Sequence, residues 1–125
     1  MTITIKRVYD ERDDGDGYRV LVDRLWPRGV SKEGAHVDEW LRDVAPSTEL
    51  RKEFGHDPQR FAQFAERYRA ELDANPATDS LRTVVEQHDV VTLVYAAHDT
   101  EHNQAVVLRD YLSGGVTPSP TVTFR

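Results

Sequence analysis

The run Val90-Val91-Thr92-Leu93-Val94-Tyr95 constrains the fold of this chain more than any other stretch. It holds six residues without a charge, four of them branched at Cβ, which favours an extended backbone over a helix. A strand of a one-sided sheet alternates apolar and polar residues. This run scarcely alternates, which is the pattern of a central strand buried on both faces. Such strands belong to parallel sheets covered by helices, so an α/β architecture is the direct expectation.

The rest of the chain supplies matching parts. Thr2 to Val8 alternates with period two and reads as a strand, and Tyr18 to Asp23 is a further β-rich run. Between them Asp10 to Gly17, rich in Asp and Gly, reads as a loop, as does Gly29 to Gly34. For His36 to Val44 two readings stay open. Val37, Trp40, Leu41 and Val44 fit helical spacing, while the run up to Ala45, just before Pro46, also fits an extended segment. Ser47-Thr48-Glu49-Leu50 offers a cap hydroxyl and a first-turn acid for a short helix ending near Gly55. Asp57-Pro58 marks the next helix start, and Phe61, Phe64, Ala65, Tyr68 and Leu72 form its apolar face. A third helix is predicted over Ser80 to Gln87, then a loop over Ala96 to His102 and a helix over Asn103 to Leu112.

The order strand, strand, helices, strand, helix predicts a small single-domain α/β sandwich with a mostly parallel sheet and flanking helices. One domain is expected over residues 1–112, followed by a Gly- and Pro-containing tail over 113–125. Within the tail, Thr121 to Arg125 has strand propensity and fits either a frayed end or an added strand at a sheet edge.

Composition removes whole classes of chemistry. The chain of 125 residues contains no Cys, which excludes disulfides, thiolate catalysis and Cys-ligated zinc or iron–sulfur centres. Its net charge of −6 argues against extensive duplex binding, although a local basic pocket is compatible with it. No apolar run approaches the ~20 residues of a membrane helix. Met1 to Arg7 has no apolar secretory signal, so a cytoplasmic protein without a membrane partner is expected. Glycine-rich nucleotide motifs and the Gly-x-Ser-x-Gly elbow are missing, and no cofactor is expected.

The most site-like stretch is Asp23-Arg24-Leu25-Trp26-Pro27-Arg28-Gly29, directly after a predicted strand. Arg24 and Arg28 suit bidentate recognition of phosphate or carboxylate, and Trp26 suits stacking on a base. Asp23 would orient one of the arginines. The plainer alternative is a structural clamp, in which an Arg pairs with Asp23 or Asp10 while Trp26 plugs the end of the sheet. Parallel sheets bind ligands at the carboxyl ends of their strands. The loop Tyr95 to Asn103 lies at such an end too, so Tyr95 and Asn103 join the candidates, as do Arg7 and Tyr9 beyond the first strand. His98 and His102, four residues apart with acids between them, form a weaker metal-ligating alternative, for which a solvated loop is the simpler explanation. Ser47 and Thr48 are most simply helix caps.

Lys6-Arg7-Val8-Tyr9-Asp10, the run Gly17 to Gly29, Pro46-Ser47-Thr48-Glu49-Leu50-Arg51 and Leu93-Val94-Tyr95 together resemble the YeaO-like family, a branch of a superfamily of domains of unknown function. The resemblance covers about Ile3 to Leu112 and implies a compact α/β domain without an established reaction. Elsewhere in that superfamily the central strand is followed by a Cys and Glu, and the next helix starts with Cys-His-Arg. Here those places hold Tyr95, Ala97 or His98, and Asn103-Gln104, so thiol chemistry does not carry over.

Two functional readings follow. In the first, Arg24, Trp26 and Arg28 capture a small anionic ligand such as a nucleotide, or a short single-stranded nucleic-acid segment. In the second, a small hydrolase or transferase uses the Arg pair to stabilise charge and His98 or Asp23 as general base.

Overall fold

The computed structural model describes residues 2–114. Its centre is a sheet of four strands, β1 (Thr2–Arg7), β2 (Tyr18–Leu21), β3 (Glu39–Trp40) and β4 (Val90–Tyr95), in the spatial order β1-β4-β2-β3. All three pairings are parallel, with Arg7 opposite Tyr95, Leu21 opposite Val94 and Leu21 opposite Trp40. β4, the apolar run, lies between β1 and β2, as its two-sided hydrophobicity predicts.

Five helices complete the α/β sandwich: α1 (Lys32–Ala35), α2 (Thr48–Phe54), α3 (Phe61–Asp73), α4 (Pro76–Gln87) and α5 (Gln104–Leu112). None is long and apolar enough to cross a membrane. The two faces of the sheet are covered differently. Val20, Val22, Val91, Leu93 and Tyr95 point into the larger core with Leu50, Phe64, Tyr68, Leu81 and Leu108 from α2 to α5. Leu21 and Val94 point the other way and meet Val8 and Ala35, flanked by Trp26, Val30, Val37 and Trp40. Among the described residues, the short α1 and loop segments close that second face.

The crossover from β1 to β2 also lies over the second face and carries charge. Asp16 binds Lys6 Nζ at 2.9 Å and Arg19 Nη1 at 2.5 Å, while Arg19, 1% exposed, donates its other nitrogens to the His36 and Ala35 carbonyls. These bonds satisfy an otherwise costly buried guanidinium.

Several boundaries differ from the sequence reading. The loop predicted over Gly29 to Gly34 holds the start of α1, capped by Ser31, and Asp10 to Gly17 contains a 3-10 turn at Asp14–Asp16. His36 to Val44 is neither one helix nor one strand: β3 pairs with β2, and a 3-10 turn at Arg42–Val44 follows. Pairing with β2 decides this, a contact no local spacing reveals. α4 begins at Pro76, ahead of Ser80, because Asn75 accepts from Ala77 N–H as its cap and Pro76 needs no donor there. Asp57-Pro58 first makes a 3-10 turn, and α3 proper starts at Phe61. The predicted strand Thr121 to Arg125 lies outside the described residues.

Ser47 is the cap of α2, as its sequence suggests, and is also tied to α3. Its Oγ accepts from Leu50 N–H at 3.2 Å and donates to Glu71 Oε2 at 2.5 Å, while its own N–H donates to Glu71 Oε1. Ser47→Ala removes both side-chain bonds and is expected to cost about 2 kcal/mol. Thermal denaturation should show a midpoint lower by roughly 8 °C, with Ser47→Thr close to wild type.

Candidate functional site

Because every strand runs the same way, the carboxyl ends share one edge of the sheet, where the chain leaves a cleft of about 590 Å³. β1 sends Arg7 and Tyr9 to its wall, and the exit of β2 sends Asp23 through Arg28. The exit of β4 contributes Ala96 to His98, and α5 contributes Gln104. Ala45 and Pro46 lead into α2, which adds Arg51, and His56 follows that helix. Thus Arg7, Tyr9, Asp23, Arg24, Trp26, Arg28 and His98, separate in sequence, meet at one surface.

Asp23 ties two exits together. Its Oδ2 accepts from Ala96 N–H at 3.0 Å, and its Oδ1 accepts from the Gln104 amide. It makes no ion pair with either Arg24 or Arg28 among the described residues. Burial pushes its carboxyl up to about 6, against the opposing pull of the Ala96 and Gln104 hydrogen bonds and the Arg51 charge.

Arg24 clamps backbone instead of a carboxylate: Nη2 donates to the carbonyls of Ala45 at 3.1 Å and Pro46 at 3.3 Å. Its Nε is buried and has no partner among the described residues. Arg7 similarly donates to the carbonyls of Ala97 and Ala96, and its guanidinium lies 5.1 Å from the centre of the Tyr9 ring. Arg28 and Arg51 are different. Both side chains are exposed and neither has an ion-pair partner among the described residues. The Arg28 carbonyl accepts from Tyr9 Oη, joining the first two exits.

Trp26 lines the cleft while packing into the second core. Its indole N–H donates to Val30 O at 2.7 Å and its ring meets Trp40 edge-on at 5.3 Å, and Trp40 in turn donates to the Asp23 carbonyl. Tyr95, 2% exposed, belongs to the helix-side core and not to the cleft wall. Asn103 caps α5 by accepting from Val106 N–H, donates to Asp99 O, and lines a smaller chamber of about 190 Å³ that adjoins the cleft. His98 is exposed at the cleft, whereas His102 turns to Asp99 Oδ2 at 2.9 Å and to the edge of Phe61. Among the described residues no three His, Cys, Asp or Glu side chains gather as a metal site.

Arg51, His56 and Gln104 belong to this site and are not among the residues singled out by sequence. Arg51 closes the run Pro46 to Arg51 that resembles the YeaO-like family, but its spacing is that of any solvent-facing helical arginine, and only the lie of α2 across the strand ends brings it in. Gln104 carried a weak signal, since it directly follows the cap of the helix after β4.

The family model described as "Inactive DUF488-N3 subclade" matches residues 2–119. The chain belongs to this family. Among its curated relatives, the "Uncharacterized protein YeaO" of Escherichia coli (strain K12) is 45% identical over 112 residues, 90% of this chain and 97% of that protein. The "Uncharacterized protein Mb3100c" of Mycobacterium bovis and "Uncharacterized protein Rv3073c" of Mycobacterium tuberculosis are each 44% identical, over 90% of this chain and 94% of theirs. No solved structure matches. Membership of the DUF488-N3 subclade agrees with the YeaO-like resemblance of the strand exits. In this member of the subclade the cleft wall carries four arginines and the Gln104 amide, with no thiol.

Proposed function

We propose that this protein is a binding module that captures a small phosphate-bearing ligand at the strand ends without catalysing a reaction. The observation that carries this reading is the charge of the cleft. Arg7, Arg24, Arg28 and Arg51 surround it, while its single carboxylate among the described residues, Asp23, is held by Ala96 and Gln104. In a chain of net charge −6, four guanidinium groups at one cleft repel each other, and a bound anion relieves that repulsion. Phosphate presents the oxygens that guanidinium forks bind in pairs, and Arg28 and Arg51 have their forks free among the described residues. Exposed Tyr9 and the Trp26 wall add apolar surface beside these arginines.

Catalysis has less support. Both oxygens of Asp23 already accept hydrogen bonds, and His98 has no side-chain partner among the described residues to orient it as a base. The subclade's description as inactive points the same way.

Isothermal titration of the full chain with inorganic phosphate and AMP tests this. Arg28→Ala removes one charge-assisted contact and should weaken AMP binding by at least about tenfold. Its melting temperature should stay at the wild-type value, because the Arg28 side chain makes no contact the fold needs. No heat with either ligand, or equal affinity in Arg28→Ala, would refute the reading.

A further inference from the structure

The cleft shares part of its wall with a second space. Pro46, Arg51, His56, Ala97 and Gln104 wall both the 590 Å³ cleft and the 190 Å³ chamber, so a ligand reaching past these residues would touch both. The chemistry of the two spaces differs. Arg51 and His56 belong to both; the cleft adds Arg7, Arg24 and Arg28, whereas the chamber adds Lys52 together with Phe54 and Phe64, whose rings stack at 4.4 Å. A charged group suits the first space, and a flat ring suits the second.

Gln104 stands between them with a defined hydrogen-bonding sense. An ionised carboxylate only accepts, so the Gln104 amide must turn its Nε2 toward Asp23 Oδ1. That leaves Oε1 as an acceptor with no partner among the described residues. Asn103, the other amide of the chamber, already uses its Oδ1 on Val106 N–H and its Nδ2 on Asp99 O. Gln104 Oε1 is therefore the amide acceptor open to a ligand.

We infer that the ligand is a mononucleotide whose base carries an exocyclic amine, with its phosphate on the cleft arginines, its ring in the chamber over Phe54 and Phe64, and its amine donating to Gln104 Oε1. This rests on the anion-binding reading and adds the class of base. The amine selects because a hydrogen at the same ring position leaves this acceptor without the ligand's donor.

The test is titration of the wild-type chain with ribose 5-phosphate, AMP and purine riboside 5′-monophosphate, which has hydrogen in place of the adenine amine. A second protein, Thr48→Trp, narrows the chamber from an exposed position whose side chain makes no hydrogen bond among the described residues. AMP should bind at least tenfold tighter than the other two compounds, and Thr48→Trp should bring AMP down to the level of ribose 5-phosphate while leaving the latter unchanged. If all three bind the wild type equally, or Thr48→Trp leaves AMP unaffected, the assignment of the base is overturned and the anion site stands. If none of the three binds, the anion-binding reading fails and takes this inference with it.

Discussion

Gly17→Ala should lower the stability of the protein by about 4 kcal/mol or more, with a melting temperature reduced by roughly 15 °C. Gly17 ends the crossover loop with φ 65° and ψ −136°, a backbone region that side chains strongly disfavour. A Cβ there would lie 2.3 Å from the carbonyl oxygen of Val90, the first residue of β4, so backbone must move to admit it. The register of β2 on β4 starts at this contact, with Tyr18 opposite Val91. The same shift would separate Asp23 from Ala96 at the other end of the strands and weaken ligand binding as well. Gly29→Ala provides the control. Its φ is also positive, at 74°, but a Cβ there meets nothing within 4 Å, so only about 1 kcal/mol is expected. Urea denaturation of both variants separates conformational strain from steric overlap, and equal losses would show that the approach to Val90 is unimportant.

Asp23→Asn should act in the opposite direction and stabilise the protein near neutral pH by up to about 3 kcal/mol. The carboxyl of Asp23 is raised from 3.8 to about 6 by burial, which outweighs the hydrogen bonds from Ala96 and Gln104 and the Arg51 charge. A carboxyl with a raised folded pKa holds its proton more tightly in the folded state. Its contribution is therefore most favourable below 3.8, declines as pH rises through about 6, and is constant above. Asparagine is neutral throughout. It can still accept from Ala96 N–H, and Gln104 can turn its Oε1 to accept from the new amide. The stability difference between variant and wild type should therefore be small at pH 4, grow through pH 6 and level off by pH 7. A difference independent of pH would place the Asp23 carboxyl in the ordinary range. Removing the Asp23 carboxylate from the cleft should also strengthen AMP binding at pH 7, while the turned Gln104 should blunt the preference for an exocyclic amine.

These two residues show how the site depends on the fold. Asp23 is conspicuous in sequence beside Arg24, and their adjacency suggests a pair. In the structure they diverge: Asp23 reaches the β4 exit while Arg24 reaches the carbonyls before α2. Neighbours in a turn following a strand leave on different sides of the backbone, so sequence adjacency does not imply contact. Trp26 likewise combines both sequence readings, as it lines the cleft and packs against Trp40.

What the amino-acid order determined by itself is local or periodic. The unbroken apolar character of Val90 to Tyr95 specified a central strand in a parallel sheet, and the apolar face from Phe61 to Leu72 specified a core helix. Ser47 and Asn103, followed by helix-forming residues, marked two helix starts, and the absence of Cys removed thiol chemistry. Parallel strands then required that the exits of β1, β2 and β4 share an edge, so the place of the candidate site was legible in the amino-acid order. Tertiary structure alone decided that β3 pairs with β2, that Arg51 of α2 and His56 just beyond it reach the cleft, and that Gln104 locks onto Asp23. Each of these depends on contacts between segments distant in sequence, whose direction is set by side-chain packing, and spacing along the chain carries no record of that packing.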